Sequence, residues 1–419
     1  MQKRYISILA IWFLVNLYFF QAVISLTASL QQPWRTTIQV GYWALDIILA
    51  IVLWVAMQQR PGKNIGDKQI KNWGMGLVML SFLPKLAGDL VLLVGDILRL
   101  GEHAVARVGH WGDPGALNTP IFQTAMISQV AFLVAAIPFV GVLHGIWKGK
   151  YQYKVHKLSL EFDNLPEKFD GFQITQLSDI HAGSFDNPAA VAEGIRVANK
   201  QGSDIIVFTG DMVNNVATEM LPWIETFSGL QAPMGKYSIL GNHDYGDYVP
   251  WKDTEEKAAN LQHLEQIHEQ TGFRLLKNEY ILLEKDGERI ALAGVENWGK
   301  KGFAQYGDLR LATDGIPGDM FKVLLSHDPS HWEAEVLDHS QDVQLMLAGH
   351  THGMQFGLEA LGMRWSPAKY IYPQWAGIYE KGGKFLYVNR GFGFLGFPGR
   401  VGILPEITVI TLKKKTVDN

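Results

Sequence analysis

The sequence predicts a four-layer α/β/β/α domain, two packed β-sheets with helices outside them, preceded by an all-α transmembrane bundle of about four helices. Three observations predict it. The first 150 residues carry long, nearly unbroken apolar runs. After residue 157 short apolar runs alternate with amphipathic stretches, the mark of crossover units. Beyond residue 281 the chain becomes richer in strands, which adds hairpins to the crossovers. The expected boundaries are a transmembrane helical domain over 1–150 and an α/β domain over 151–419.

Composition narrows what such a chain can do. Its 419 residues accommodate a large core plus a further unit. The formal charge of −4 argues against bulk nucleic acid as a partner, because binding a polyanion calls for a concentrated basic surface. With Cys 0, disulfides and thiolate ligands are excluded, so any metal must sit among nitrogen and oxygen donors.

The first apolar run, residues 5–26, is interrupted only by Asn16, Gln21 and small hydroxyl residues. It is long enough to cross a hydrocarbon layer of about 30 Å. It is also longer than the apolar core of a signal peptide and has no small-residue cleavage site. Further runs cover 38–57, 73–98 and 121–147, the last containing Pro138. Lys3 and Arg4 precede the first run, only Arg35 separates the first two, and Arg60, Lys63, Lys68 and Lys71 lie between the second and third. Arg99 and Arg107 follow the third, and Lys148, Lys150, Lys154 and Lys157 follow the fourth. Basic residues stay on the cytoplasmic side, so the alternation predicts a multi-pass inner- or plasma-membrane protein with its α/β domain in the cytoplasm. Trp34, Trp54, Trp73, Trp111 and Trp147 lie near run ends, where amphipathic rings favour headgroup depth.

Asp46, Lys85, Asp89 and Asp96 fall inside these runs, where ionisable groups are expensive and face protein or a polar path. Lys85 and Asp89, four apart, are placed to pair on one helical face. The four make a membrane-domain polar network, read as a structural tie, a lipid-headgroup contact or a conduction path. A re-entrant third run is the alternative that would invert the orientation.

In the second half, strands are expected at 158–162, 172–177, 205–208, 237–240, 289–293, 321–325, 343–347, 385–388 and 407–412. Helices are expected at 188–200, entered through Asn187 with proline in the first turn, and at 219–227 and 254–269. Asp286-Gly287 reads as a hairpin turn.

Polar residues follow nearly every core strand. Asp179 and His181 follow one, Asp211 the next, and Asn242, His243 and Asp244 the third. His327 and Asp328 follow another, and His350 and His352 the strand near Leu347. Side chains at the carboxyl ends of strands converge on one crevice. Any one such cluster reads equally well as a loop hydrogen bond or a turn. Five together predict a metal site, because loop capping gives no reason to place histidines after four separate strands.

The strings Asp179-Ile180-His181, Gly210-Asp211, Gly241-Asn242-His243-Asp244, Ser326-His327-Asp328 and Gly349-His350-Thr351-His352-Gly353 resemble the five ordered motifs of the calcineurin-like metallophosphoesterases. The resemblance covers about residues 155–412. The end of the domain, Asn389-Arg390-Gly391-Phe392-Gly393 with Arg400, Pro405, Glu406 and Ile407, is similar to a membrane-linked bacterial subgroup. The family implies a two-layer β sandwich with outer helices and a dinuclear centre. It implies that Asp179, His181 and His352 hold one divalent ion, that Asn242, His327 and His350 hold the other, and that Asp211 bridges them. A bridging hydroxide is then the nucleophile in hydrolysis of a phosphoester or pyrophosphate. His243 would stabilise the transition state and protonate the leaving oxygen, with Asp244 as its orienter. The alternative for His243 is a loop buttress, and Asp328 reads as a supporting or structural residue. The donor set favours Mn²⁺, Fe²⁺ or Zn²⁺ over Mg²⁺, and the family favours Mn²⁺.

The membrane runs point to membrane lipids as partners and to a phosphorylated or nucleotide-linked lipid as substrate. Some relatives cleave the pyrophosphate of diacylated UDP-glucosamine. Trp365, Tyr370, Tyr372, Trp375, Phe392, Phe394 and Phe397 read as an acyl-admitting rim, as packed loop cores or as base-stacking platforms. Arg390 and Arg400 read either as donors to a second phosphate or as folded-back salt bridges. Two alternatives stand beside lipid hydrolysis. One is a membrane-anchored nucleotide or cyclic-nucleotide phosphodiesterase, and the other a transport or sensing protein regulated by its phosphoesterase domain.

Overall fold

A computed structural model describes residues 2–58, 65–109, 124–300, 302–360 and 362–415. The chain divides into two compact units, Met1–Arg60 with Ile70–His144, and Pro61–Gln69 with Gly145–Asn419. Arg60, Lys63, Trp111 and the expected start of the fourth run at Ile121 lie outside the described residues.

The first unit is built from α1 (Gln2–Thr27), α2 (Gln32–Gln58), α3 (Ile65–Gly109) and α4 (Thr124–Trp147). The shortest has 24 residues, about 36 Å at 1.5 Å per residue, so all four are long and apolar enough to cross a membrane. The third run is one continuous helix of 45 residues carrying Pro84. Phe19, Ala22 and Val23 of α1 pack with Leu92 of α3 and with Ile127, Ala131 and Ala135 of α4. Gly88 permits the approach of α1 to α3, since a Cβ there would stand 2.3 Å from the Phe19 ring. Small residues at crossings are how helices come close in lipid, where no hydrophobic force drives them together.

The four ionisable residues pair differently from the expected Lys85–Asp89 contact and fall into separate groups. Lys85 makes its ion pair with Asp46 on the neighbouring helix. Its Nζ also donates to Asn16 Oδ1 at 2.6 Å and sits 4.6 Å over the Tyr42 ring. Asp89 is buried, and its Oδ1 has no hydrogen-bond partner. Asp96 accepts from the Tyr18 hydroxyl at 2.6 Å and pairs with Arg99. An ammonium four residues before a carboxylate reaches whichever acceptor the packed neighbour supplies, and α2 supplies Asp46.

The second unit has two six-stranded sheets. Its strands in chain order are β1 (Lys154–Phe162), β2 (Gln173–Leu177), β3 (Ile205–Thr209), β4 (Lys236–Ile239), β5 (Arg274–Leu275), β6 (Glu279–Lys285) and β7 (Glu288–Gly294). They continue with β8 (Lys322–Leu325), β9 (Leu345–Ala348), β10 (Leu358–Ala360), β11 (Met363–Trp365), β12 (Gly377–Lys381), β13 (Lys384–Val388) and β14 (Glu406–Lys414). One sheet runs β1-β14-β2-β3-β4-β5 and the other β12-β13-β9-β8-β7-β6, while β10 and β11 pair only with each other. In the first sheet β2 to β5 are mutually parallel, and β14 returns antiparallel to β2. In the second, β7, β8, β9 and β13 are parallel, with antiparallel partners at both edges.

Ile174, Val207 and Ile239 of one sheet meet Leu292, Val323 and Leu347 of the other in a single apolar layer. Outside the first sheet lie α5 (Pro188–Asn199), α6 (Ile224–Ser228) and α7 (Thr254–Gln270), covering Leu177, Ile206 and Phe208. Outside the second lie α8 (Leu309–Thr313) and a π turn at Trp332–Val336. Helix, sheet, sheet, helix is the predicted layering. The caps and the turn are local chemistry made visible: Asn187 Oδ1 accepts from Ala190 N at 3.1 Å, and Asp286 and Gly287 both take positive φ between β6 and β7.

Candidate metal centre

Strands at the middle of both sheets deliver the candidate ligands. Asp179 and His181 leave β2, Asp211 leaves β3 and Asn242 leaves β4, while His327 leaves β8 and His350 and His352 leave β9. Because the two sheets face each other, these ends open into one crevice. The turn at Gly349 must be bare, since a Cβ there would lie 1.9 Å from Ser178 Oγ and 2.3 Å from Asp179 Oδ2.

Backbone geometry sets the site apart. Asp179, His181, Asp211, His350 and His352 all have φ between 49° and 73°. Non-glycine residues avoid this region, and strain of this kind gathers where surrounding structure over-determines a functional geometry. Here it turns each side chain inward immediately after its strand. Backbone bonds hold the turns: Asp179 N to Gly210 O at 2.9 Å, His181 N to Asp211 O at 3.1 Å, and His350 N to both Asp179 carboxylate oxygens at 3.0 Å.

Two donor groups result, Asp179 with His181 and His352, and Asp211 with His327 and His350, each with its ligand atoms within 4.8 Å of one another. Asp211 Oδ2 stands 3.6 Å from His181 Nε2 in the first group and 3.2 Å from His327 Nε2 in the second, between the two. Asn242 Oδ1 joins the second group, 2.8 Å from His350 Nδ1 and 3.2 Å from His327 Nε2. In the first, the Nε2 atoms of His181 and His352 face each other at 2.9 Å.

The donor set fits divalent cations. Asp179 and Asp211 are buried, and imidazole nitrogens stand beside their carboxylate oxygens. Burial holds His181 down at about 3 and His350 at about 4, and keeps His352 well below its ordinary value, so these rings stay neutral, the ligand form. Burial opposes charge on His327 as well, yet Asp211 lifts it to about 10. Burial likewise works against Asp211, but the imidazoles of His327 and His243 hold it well below the carboxylate range. A proton on His327 therefore supplies positive charge where bound cations would otherwise supply it.

His243 is oriented from both ends. Its backbone N–H donates to Asp211 Oδ1 at 2.8 Å, and its ring Nδ1 lies 2.6 Å from Asn214 O, leaving Nε2 for the crevice. The ring sits 4.9 Å from that of His181 and 4.6 Å from that of Tyr248. Asp244 does not orient it. The buried Asp244 carboxylate instead accepts backbone N–H groups from Asp211, Met212, Val213 and Gly241 at 2.9, 2.8, 3.3 and 2.8 Å. It ties the loop after β3 to the loop after β4, and the expectation of a catalytic Asp244 is corrected accordingly. Asp328 Oδ1 accepts from Ser330 N at 2.8 Å, and its Oδ2 stands 3.8 Å from His350 Nε2.

The arginines also turn inward. Arg390 is spread between Glu406 and Glu359, with Nη1 2.5 Å from Glu406 Oε2 and Nη2 2.6 Å from Glu359 Oε1. Arg400 is 1% exposed and binds the carbonyls of Gly393, Arg390 and Gly391, with Nη2 3.2 Å from His352 Nδ1. Neither offers a free fork to a second phosphate, because a buried guanidinium must satisfy its donors inside. The expected aromatic rim divides. Trp375, Phe392 and Phe394 are core residues, whereas Trp365 and Tyr370 are exposed.

Two tyrosines stand closer to the centre than the sequence suggested. Tyr372, read among the rim, loop-core or base-stacking aromatics, places its hydroxyl 2.8 Å from His350 Nε2. Tyr248, not singled out at all, accepts from Asn242 Nδ2 at 2.8 Å. Its position six residues past Asn242, in the same turn-rich loop, was the available signal.

Comparison with known proteins gives this geometry its relatives. The family described as "Calcineurin-like phosphoesterase" matches residues 172–354, and that described as "Probable Calcineurin-like phosphoesterase, transmembrane domain" matches residues 3–150. A Bacillus subtilis metallophosphoesterase, YkuE, is 33% identical over 256 residues, 59% of this chain and 82% of that protein. A Danio rerio transmembrane protein with metallophosphoesterase domain is 27% identical over 290 residues, 67% of this chain and 62% of its own length. The UDP-2,3-diacylglucosamine pyrophosphatase LpxG of Chlamydia trachomatis is 26% identical over 327 residues, 65% of this chain and 93% of that enzyme.

Proposed function

The chain belongs to the calcineurin-like metallophosphoesterases and is a metal-dependent phosphohydrolase of a membrane, and from that membership we propose that it cleaves a phosphoester or pyrophosphate bond in a membrane lipid or lipid precursor, on the cytoplasmic face of a bacterial membrane. The observation that carries the reading is the position of Asp211 Oδ2 between two buried donor groups in a chain with four membrane-length helices.

Asp179, His181 and His352 would hold one divalent ion and Asn242, His327 and His350 the other, with Asp211 shared; Mn²⁺ would be the preferred metal, with Fe²⁺, Zn²⁺ or Mg²⁺ as substitutes. Such a pair, when bound, activates water and polarises the phosphoryl oxygens. The protein's own residues do the rest. The Asn214 carbonyl accepts from Nδ1–H of His243, which holds the ring in place and turns Nε2 toward a leaving oxygen. Asp244 and the left-handed turns keep the ligands in place before substrate arrives. The LpxG relative acts on a diacylated sugar nucleotide, which motivates the lipid-pyrophosphate class here.

The test is a screen of a membrane lipid extract with detergent-purified, metal-loaded full-length protein. Release of phosphate or a phosphorylated headgroup supports the reading. Efficient turnover of soluble nucleotides with lipid phosphoesters ignored would replace it by the nucleotide phosphodiesterase alternative. Ligand flux in liposomes independent of hydrolysis would replace it by transport.

A further inference from the structure

The excursion between His352 and Tyr372 plays no part in holding ligands, yet it leaves and re-enters the fold at the centre. Beyond Trp147, twelve large apolar side chains are exposed among the described residues, and six of them lie here: Met354, Leu358, Met363, Trp365, Tyr370 and Ile371. The most exposed is Tyr370 at 74%. The exposed charges beside them are basic, Arg364 and Lys369, because the carboxylate of Glu359 is engaged by Arg390. The strands β10 and β11 carry Leu358, Met363 and Trp365 on a ribbon that is two-stranded among the described residues.

A concentrated apolar patch on a monomer marks a contact surface. Trp and Tyr interleaved with Arg and Lys are the side chains that settle at headgroup depth, where rings meet the acyl boundary and cations meet anionic lipid. Deeper insertion is disfavoured, since the outer N–H and C=O groups of a two-stranded ribbon would go unpaired in hydrocarbon. The ribbon is fastened to the centre: Ser366 Oγ donates to Gly353 O at 2.7 Å, Gly357 N to Val401 O at 2.9 Å, and the Tyr372 hydroxyl meets His350.

We propose that residues 354–359 and 362–371 dock onto the interfacial layer of an anionic bilayer and hold the metal centre at the level of lipid phosphates. This inference rests on the lipid-directed reading above and adds the surface that delivers such a substrate.

The chain has Cys 0, so a single introduced thiol is a clean probe site. Full-length Met363→Cys and Glu284→Cys, each carrying an environment-sensitive fluorophore, are reconstituted into vesicles of phosphatidylcholine with and without phosphatidylglycerol. The expected result is a blue-shifted probe at 363, quenched by lipid-borne nitroxide near the headgroups and more strongly with phosphatidylglycerol, and a water-exposed probe at 284. Equal aqueous quenching at 363 and 284 in both vesicles overturns the proposal. So does protection at 363 that follows protein density instead of lipid charge, which would identify a second copy as the occupant. A Leu358→Ser/Met363→Ser/Tyr370→Ser variant should lose about tenfold in turnover of a vesicle-borne lipid phosphoester and keep its turnover of bis-p-nitrophenyl phosphate. Equal losses on both substrates also overturn it. If the parent chain cleaves the soluble diester but no lipid, the lipid reading fails while the probe result at 363 still reports on docking.

Discussion

The backbone N–H of His243 donates to Asp211 Oδ1 at 2.8 Å, so the proposed proton donor and the proposed bridging carboxylate are positioned by one hydrogen bond. The bond uses the main chain of His243, and the imidazole can be removed without breaking it. His243→Ala is therefore expected to retain both metals while kcat falls by roughly 10²- to 10⁴-fold, the range of a lost general acid. The loss should be smaller for a p-nitrophenyl leaving group, which needs little protonation. Metal analysis alongside kinetics on two leaving groups checks this; equal losses on both would remove His243 from proton donation.

Asp211→Asn halves what the shared group offers two dications. Metal content is expected to drop at both positions and turnover to vanish, as read by elemental analysis of the purified variant. A variant with full occupancy and normal rate would exclude the bridging role.

Asp244→Ala removes an acceptor shared by four backbone N–H groups. We expect a loss on the order of 3 kcal/mol in stability and weakened metal retention, seen as a lower Tm that added metal partly restores. A variant as stable as the parent but catalytically dead would reinstate Asp244 as a chemical participant.

Glu406 supplies the pH dependence. Burial alone would raise its carboxyl, but Arg390 beside it holds the value at about 2 against an ordinary 4.5. Its stabilisation is complete above pH 4.5 and is lost as pH falls from there toward 2, a swing of about 3 kcal/mol. Acid unfolding of the parent should show this component, and Glu406→Gln should lack it while being less stable at pH 7, because Arg390 is left undercompensated.

In the membrane unit, Lys85→Ala leaves the buried Asp46 without its cation, at an expected cost of about 3–5 kcal/mol. Lys85→Met with Asp46→Leu should recover most of that loss in detergent-solubilised protein. Failure of the double variant to recover would assign the pair a role beyond packing.

Much of this was legible in the sequence because strand ends are local events. An apolar run followed by Asp-x-His or Gly-Asn-His states both the strand and where its side chains emerge, and Asp286-Gly287 states a hairpin by its backbone freedom alone. What sequence left open depended on partners far along the chain. Lys85 reads as a neighbour of Asp89 until a second helix brings Asp46 beside it. Arg390 reads equally as a phosphate donor or a folded-back salt bridge until Glu406, sixteen residues later, reaches its Nη1 at 2.5 Å. Asp244 looks catalytic because it adjoins His243, but alternation along the turn sends its carboxylate to the backbone instead. The positive φ values at five ligand positions left only a weak signal, since Asp and His enter the left-handed region more often than most residues but far less readily than glycine.

Those five left-handed residues bear on the fate of the protein before its metals arrive. Each conformation costs on the order of 1–3 kcal/mol, and bound ions repay it only through mass action on the folded state. A freshly made chain in a metal-starved cell would thus sit closer to its unfolding threshold and offer its crevice loops to proteases first. Metal supply would then set how many copies survive in the membrane as well as how fast each one works.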